Sequence, residues 1–386
     1  MATTVRLDVE EVLRHFQELE APRSSVNVLH SLDSILVIAI MAVLAGANGP
    51  TAIAKWANMK AEALSRLLHL PNGVPQKDVF RRVLCVLKPD AFQACFKMWL
   101  TSLQAAAAKA TGIERPTLAI DGKTLRRSHD RRRGLGALHS VSVWASEFGL
   151  TLAQVATDEK SNEITAIPAL LSLIDIQGSI ITIDAMGTQT AIAEKIMDGG
   201  GDYILALKGN QETLHDAAID YIHEQTKTDF RGIGARRWDT VEKKHGRIER
   251  RTYLQMPAPK SLPGFARWKG LLSIGVAFLW CIRDGKETAE VRYFISSLPV
   301  KVKQFAHAVR SHWGIENSCH GCLDVTYRED ESRMRDERLR ENFAWLNRLT
   351  LSLLKQHPEK SSIAMKRRCC GWNDDYMLQV LTGTKG

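Results

Sequence analysis

Residues 179–207, with the sequence SIITIDAMGTQTAIAEKIMDGGGDYILAL, decide the fold class. Ser179 to Ile183 is an apolar, β-branched run that ends at Asp184, a pattern typical of a buried strand. Thr188 to Asp198 has a helical composition and stops at three glycines, and Tyr203 to Leu207 is a second apolar run. Strand, helix and strand in this order predict a right-handed crossover between two parallel strands.

The alternation of strands and helices continues on both sides of this stretch. Thr117 to Ile120 is a short apolar run that ends at Asp121, and residues 137–145 and 150–156 predict two paired strands. A further β-rich stretch, between about residues 230 and 298, is interpreted as an insertion. The sequence therefore predicts an α/β fold, in which helices flank a mixed sheet that carries a β-rich insertion.

The same patterns divide the chain into three segments. Residues 1–110 predict an all-helical N-terminal domain. Its helix at 78–87 carries basic side chains on one side, which suits the binding of DNA ends, although a solvated helix face is the alternative. Residues 111–356 predict the α/β domain, and residues 357–386 predict a basic, weakly patterned tail.

The net charge, the number of cysteines and the longest apolar run limit which partners and which cellular compartment are expected. The 386 residues carry a net charge of +9, which fits a polyanionic partner but is shared by many proteins of other classes. Seven cysteines are too few, and an odd number, for a disulfide framework, so a reducing compartment is expected. Ile35 to Ala47 is the longest apolar run and is too short to span a bilayer. We expect a cytoplasmic protein without a membrane partner.

Two carboxylates follow the apolar strands of the predicted sheet. Asp121 and Asp184 come where two such runs end, and ligands gather beyond the carboxyl ends of strands in α/β sheets. Two bare carboxylates a few ångströms apart repel each other, and a bound Mg²⁺ removes that cost because it prefers oxygen ligands. Each aspartate alone is equally well explained as the cap of a turn or helix.

A third carboxylate is predicted on a later helix, at about residues 302–319. Glu316 continues a series of apolar residues at steps of three and four, so its side chain is predicted to point inward. The series comprises Val302, Phe305, Val309 and Trp313. A structural ion pair with Arg310 is the alternative, and Asp324 or Glu329 could replace Glu316 as the third carboxylate. Three carboxylates with two Mg²⁺ ions about 4 Å apart suit phosphoryl transfer.

Basic residues suit the positioning of DNA beside such a site. Four of them lie close in sequence to the two aspartates: Lys123, Arg126, Arg127 and Lys208. From Arg231 to Arg251 eight lysines and arginines face three acidic residues, and Lys243, Lys244 and Arg247 belong to that stretch. Neutralising phosphates with such side chains releases counterions. A solvated β ribbon is the alternative reading of the same charges.

Long motifs in this chain resemble the ISAs-type insertion-sequence transposases, also called H-repeat-associated proteins, of the DDE superfamily. The resemblance covers about residues 19–354. The motifs include IDGK at 120–123, DAM at 184–186, LKGNQ at 207–211, HGRIE at 245–249, RYFISS at 292–297, RSHWGIEN at 310–317 and LDVTYRED at 323–330.

The resemblance implies a ribonuclease H-like catalytic core whose acidic triad is Asp121, Asp184 and Glu316. It implies a DNA transposase that cleaves the ends of its element and joins them to target DNA, as an enzyme that uses two Mg²⁺ ions, for which Mn²⁺ is expected to substitute. Double-stranded DNA is the expected partner, bound by a homodimer associated with the nucleoid. A related nuclease or decayed copy, or a DNA-binding protein without catalysis, is the alternative.

One departure concerns the surroundings of the third carboxylate. The wider superfamily has a Tyr-Arg-Glu-Lys signature there, whose Tyr, Arg and Lys places hold Val309, His312 and Leu323 in this chain. Those contacts therefore cannot be transferred. The substitutes for those contacts are Arg310, His312, Trp313, Asn317 and His320. His245 of the HGRIE motif is a further expected DNA contact.

Overall fold

The computed structural model describes residues 9–14, 16, 19, 29–157, 163–244 and 246–383. The chain forms two compact units. The first unit comprises residues 1–113, 122–160 and 316–386, and the second comprises residues 114–121 and 161–315.

The strands are β1 (Thr117–Leu125), β2 (Leu138–Ala145), β3 (Leu150–Thr157), β4 (Ile180–Ile183), β5 (Asp202–Leu207), β6 (Arg236–Lys244), β7 (Arg247–Pro257), β8 (Ser273–Arg283) and β9 (Lys286–Ser296). The helices are α1 (Val9–Arg14), α2 (Leu32–Leu44), α3 (Pro50–Met59), α4 (Ala61–Leu67), α5 (Lys77–Val86), α6 (Pro89–Thr111), α7 (Glu163–Ser172), α8 (Thr190–Asp198), α9 (Glu212–Thr226), α10 (Val302–Gly314), α11 (Gly321–Val325), α12 (Glu337–Gln356), α13 (Ile363–Trp372) and α14 (Asp374–Thr382). The predicted α/β class is confirmed, with a mixed sheet and many helices.

The second unit contains the predicted strand–helix–strand crossover. Its strand order is β1-β4-β5-β9-β8-β7-β6, and β1, β4 and β5 run parallel. The four residues of β4 are fully buried and β-branched, which suits a central parallel strand covered on both faces. Gly187 follows in the turn after β4, where a Cβ atom would collide with Ile183 and Ile167.

The β-rich stretch that was interpreted as an insertion extends this same sheet. Leu205 of β5 pairs with Ile295 of β9, so β9 joins the parallel strands to the antiparallel strands β8, β7 and β6. Helix α10 packs on one face of these strands through Phe305, whose ring lies 5.6 Å from that of Phe294 and 6.5 Å from that of Tyr253. The core of the unit thus continues into its antiparallel half.

The first unit is mainly helical and contains the antiparallel pair β2–β3. Helix α2 is buried on all sides, and α12 packs against α2, α5 and α6. Residues 357–386, predicted as a weakly patterned tail, instead contain the helices α13 and α14. Arg367 of α13 donates to the carbonyl oxygens of Val43 and Thr326 and so ties this segment into the unit. No helix in the described part of the chain has the length and apolar character needed to cross a membrane.

Candidate active site

Asp121 and Asp184 each directly follow the last paired residue of two adjacent parallel strands, Asp121 within β1 and Asp184 just after β4. Ile120 of β1 pairs with Ile183 of β4, and each aspartate is the next residue along the chain. Adjacent strands lie about 4.8 Å apart, so the register sets the two residues side by side. The prediction that β1 ends at Asp121 is wrong, because β1 continues to Leu125; only its pairing with β4 stops at Ile120.

The carboxylate of Asp184 is fixed by the turn that follows it. Its Oδ1 atom accepts hydrogen bonds from the backbone N–H groups of Met186 at 3.1 Å and Gly187 at 3.3 Å. The capping explanation is therefore partly correct for this local turn. It is not correct for helix α8, which begins at Thr190 after Gln189. Because the turn holds one oxygen, the orientation of the carboxylate is set before any ligand arrives.

Beyond Asp184 lies a cavity of about 110 Å³ within the second unit. It has a polar rim and a largely aromatic wall. Its lining includes Thr182, Asp184, Lys208, His215, Glu290, Arg292, Tyr293, Phe294, His312 and Trp313. Three of the residues predicted to contact DNA, Lys208, His312 and Trp313, thus lie around one of the two predicted catalytic aspartates. The cavity has room for a small group such as part of a nucleotide.

His312 is held as a neutral side chain in this wall. Its Nδ1 atom lies 2.9 Å from the hydroxyl oxygen of Thr182, two residues before Asp184. Burial, with the nearby guanidinium of Arg292 as a smaller cause, lowers the pKa of His312 to about 4. At neutral pH His312 therefore contributes hydrogen bonding and a ring surface and no positive charge.

Arg292 supplies the fixed positive charge that the sequence did not identify as part of the site. Its guanidinium lies 4.8 Å from the ring centroid of Trp313 and donates to Glu290 at 2.6 Å. On the other side of the cavity, the ring of His215 meets that of Tyr293 edge to face at 5.5 Å. The RYFISS motif at 292–297, which begins at Arg292, is the sequence signal that could have indicated this residue.

Glu316 is exposed, so the prediction that its side chain points inward is wrong. Helix α10 ends at Gly314, and residues Ile315–His320 form a π-helix. A π-helix has more residues per turn than an α-helix, which shifts the buried face along the chain. Ile315 and Cys319 are the fully buried residues there, while Glu316 and Asn317 face outward.

Lys123 differs from its prediction as a DNA contact. Its side chain is only 6% exposed, and its Nζ atom lies 2.5 Å from Asp324 Oδ1 and 3.5 Å from Asp330 Oδ1. Arg126 also reaches Asp330, at 3.3 Å, although its own side chain is exposed, as is that of Arg127. The buried ammonium of Lys123 is committed to carboxylates within the first unit.

The two alternatives for the third carboxylate are both engaged by cations. Asp324 pairs with Lys123, and the fully buried Glu329 pairs with Arg348 at 3.4 Å and accepts from Asn347 at 3.2 Å. The buried carboxylate of Glu329 is explained as a structural ion pair, and the half-buried carboxylate of Asp324 is explained by its pairing with Lys123. These contacts leave Glu316 as the exposed member of the three.

The predicted DNA contacts on β6, β7 and α10 fall into two groups. Lys243 is exposed, whereas Arg247 pairs with Glu249 at 2.7 Å and Arg310 pairs with Glu242 at 3.1 Å. His245 lies outside the described residues, as does the side chain of Lys244. The basic stretch therefore forms ion pairs in part and is not uniformly available to phosphates.

The donor set fits a divalent cation only in part. The oxygens of Asp121 and Asp184 are the hard ligands that Mg²⁺ prefers. Among residues 29–157, 163–244 and 246–383, no three His, Cys, Asp or Glu side chains form a group that could hold a metal ion. Asp121, Asp184 and Glu316 therefore all stay predicted ligands.

A comparison with protein families agrees with this arrangement. A family model described as the transposase DDE domain matches residues 112–353, and one described as DDE_Tnp_1-associated matches residues 13–100. The chain belongs to the DDE transposase family. The family model covers both aspartates, Glu316 and the whole second unit. The predicted identity as an insertion-sequence DNA transposase is confirmed at this level.

Full-length relatives support the same assignment of this DDE transposase. The protein YhhI of Escherichia coli (strain K12), named among the H repeat-associated transposases, is 35% identical over 98% of this chain and 99% of its own length. The protein YncI of Escherichia coli O157:H7, also named as a transposase, is 36% identical over 97% of this chain and 95% of its own. A cryo-EM structure of a piggyBac transposase synaptic complex with hairpin DNA aligns with a TM-score of 0.41 and 10% identity, over 97% of this chain and 82% of that chain.

Proposed function

We propose that this DDE transposase cleaves DNA at the ends of its own insertion sequence and joins the freed 3′-hydroxyl to target DNA. Asp121, Asp184 and Glu316 are the proposed catalytic carboxylates, carried by a ribonuclease H-like core. The observation that supports this proposal most is the register of β1 on β4, in which Ile120 pairs with Ile183 and each aspartate directly follows one of these paired residues. Such a pair of carboxylates is costly unless a cation or substrate uses it.

The proposed cofactor is a pair of divalent cations, Mg²⁺ or Mn²⁺, with the three carboxylates as ligands. When bound, they would supply activation of the attacking water or 3′-hydroxyl and stabilisation of the leaving oxygen. The turn of Met186 and Gly187 holds Asp184 in place for that purpose. Glu316 is exposed on the π-helix, so its carboxylate is accessible to a divalent cation at the surface.

The second unit supplies groups for holding the DNA strand. Lys208 is exposed at the end of β5, and the cavity wall of Arg292, Trp313 and His312 presents a cation, an indole and a neutral imidazole. At the tip of the antiparallel strands, the register sets Arg247, Arg283 and Lys286 in one cross-strand row. These cations suit successive phosphates of a duplex. Arg126, Arg127 and Asn317 are proposed as further exposed contacts in the first unit.

Cleavage of the element's own ends by purified protein tests the proposal. We expect Asp121→Asn, Asp184→Asn and Glu316→Gln each to abolish cleavage in Mg²⁺, while retention of labelled DNA in a mobility-shift assay persists. Asp220→Asn, an exposed aspartate on α9, is the matched control and is expected to cleave normally. Full cleavage by all three variants would refute the triad.

The same cleavage assay tests the third carboxylate and the joining step separately. Cleavage that is lost in the two aspartate variants but retained in Glu316→Gln would remove only the third carboxylate. Cleaved ends without any product joined to target DNA would indicate a nuclease.

We propose that the active form on double-stranded DNA is a homodimer associated with the nucleoid, and sedimentation of the complex with element-end DNA would count its copies.

A further inference from the structure

One face of the outer half of β6–β9 is rich in exposed apolar side chains. We call it the ribbon face, and its residues are Val241 and Lys243 of β6, Ile248 and Arg250 of β7, Phe278, Trp280 and Ile282 of β8, and Glu287, Ala289 and Val291 of β9. Val241 is 59% exposed, Val291 43% and Phe278 39%. Exposed apolar patches of this kind mark sites of protein association.

The other surfaces of the same strands are covered within the second unit. On the opposite face, α10 packs against Tyr253 through Phe305, and Lys303 lies 4.4 Å from the ring centroid of Trp238. On the same face as the ribbon face but nearer to β5, the ring of His215 covers Tyr293. Between Tyr293 and the strand tips, the described residues leave the apolar side chains exposed or half-buried.

The register arranges the ribbon face in rows across the four strands. Residues directly opposite each other in antiparallel strands share a face. At the tip, the row reads Lys243, Ile248, Ile282, Glu287 from β6 to β9. The next row toward the core reads Val241, Arg250, Trp280, Ala289. The third row reads Asp239, Thr252, Phe278, Val291. The two outer rows therefore have a cation on the β6–β7 side and an anion or an indole on the β8–β9 side, whereas the third row has at its β6 end the anion of Asp239, which pairs with Arg237 at 2.9 Å.

We propose that the ribbon face binds the same face of a second copy of this chain. A twofold axis parallel to the strands, between β7 and β8, exchanges the two sides of every row. It sets Lys243 opposite the partner's Glu287 and Arg250 opposite the partner's Trp280, while Ile248 meets the partner's Ile282. An isologous contact requires a self-complementary patch of this kind, and two sheets pack face to face with their strands roughly aligned.

The charges and apolar groups of the ribbon face favour a second copy over DNA. The centre of the face is apolar. Of the two cations in the outer rows, Lys243 is matched by Glu287 in the tip row, and Arg250 lies 4.9 Å from the ring centroid of Trp280 in its own chain. The opposite face carries the row of Arg247, Arg283 and Lys286 at the same tip. All three are cations, although Arg247 pairs with Glu249 and Arg283 with Asp284. We therefore assign the ribbon face to the partner copy and the opposite face to DNA. Lys243, predicted from sequence as a DNA contact, then belongs to the contact with the partner copy. The proposed interface rests on the homodimer of the proposed function, because the twofold axis relates two copies of the chain.

Charge reversal on full-length protein without DNA tests the ribbon face. We expect wild type to dimerise, and Lys243→Glu or Glu287→Lys to weaken the dimer at least about tenfold, since each places two pairs of like charges across the axis. An equimolar mixture of the two variants is expected to recover association, because each supplies the charge that the other lacks. Within one chain the two residues are separated by three strand spacings, so a change confined to one chain cannot give this recovery.

Two further variants complete the experiment, which is read by sedimentation equilibrium. Phe278→Ser is expected to weaken the dimer roughly 100-fold, because two phenyl groups lose their apolar contact. Lys286→Glu, on the opposite face of the same hairpin, is the matched control and is expected to dimerise as wild type does. A monomeric wild type, or single variants that dimerise normally, or a mixture that fails to recover, would overturn the inference. Cleavage of element ends by wild type in the same preparation would show that the proposed function stands independently.

Discussion

The ammonium of Lys123 and the carboxylate of Asp324 form an ion pair whose cation is almost wholly buried. The Nζ–Oδ1 distance is 2.5 Å, and the side chain of Lys123 is 6% exposed. Lys123 stands two residues after Asp121 on β1, and Asp324 lies on α11, directly after the π-helix that begins at Ile315. The pair therefore ties the strand that carries one proposed catalytic residue to the segment that follows another.

Lys123→Met is expected to destabilise the protein. The variant removes the cation shared by Asp324 and Asp330. Because both carboxylates are partly exposed and Asp330 keeps Arg126 at 3.3 Å, we expect a loss of about 1 kcal/mol. The measurement is the free energy of unfolding from urea denaturation. Arg127→Met, at an exposed position four residues along, is the control and is expected to change it little. Equal unfolding midpoints for the two variants would show that the pair contributes nothing to stability.

Glu249→Ala is expected to lower the free energy of unfolding by more than Lys123→Met does. Arg251 is only 2% exposed and pairs with Glu249, itself 8% exposed, so the variant leaves a buried guanidinium with the more distant Glu242 at 3.4 Å. Removing one partner of a buried pair costs about 3–5 kcal/mol. Thermal and urea unfolding measure it, with Glu224→Ala as a control at an exposed ion pair on α9. If Glu249→Ala unfolds like Glu224→Ala, the pair is solvated rather than buried.

Much of the second unit could be predicted because its signals are local. The β-branched run at 180–183 and the glycines after Asp198 define a strand and a helix end in any context. The pairing of β9 with β5 could not be predicted, since it joins residues about 90 positions apart. The β-rich stretch was therefore interpreted as an insertion when it is part of the same sheet.

The candidate site shows the same division between local and long-range information. Asp121 and Asp184 could be selected from the sequence because each follows an apolar, strand-like run. The prediction that Glu316 points inward is wrong because it extends an α-helical period through a π-helix, where the spacing changes. The burial of Lys123 depends on Asp324 and Asp330, about 200 residues away, so its sequence neighbours gave no sign of it.

His312 is expected to make stability depend on pH below neutrality. Its pKa is lowered in the folded protein from the ordinary 6.5 to about 4, so between these values the unfolded chain binds more protons. The stabilisation is fully present above about pH 6.5 and is lost as pH falls toward 4, by about 3 kcal/mol in total. Unfolding free energies measured across this window should show a smaller slope in His312→Gln, whose amide can still bond to Thr182. An unchanged slope would mean that His312 is not held neutral by burial.

Lys208→Ala is expected to weaken DNA binding in a way that depends on salt and not on base sequence. Lys208 is exposed at the end of β5 and lines the cavity beside Asp184, where a phosphate of the bound strand would lie. Each neutralised phosphate contributes about 0.9 to the slope of log K against log salt on duplex DNA. The slope for Lys208→Ala should therefore fall by about one relative to wild type, for element ends and random duplex alike. Lys227→Ala, an exposed lysine paired with Glu224, is the control. A loss confined to element-end DNA would instead assign Lys208 to recognition of bases.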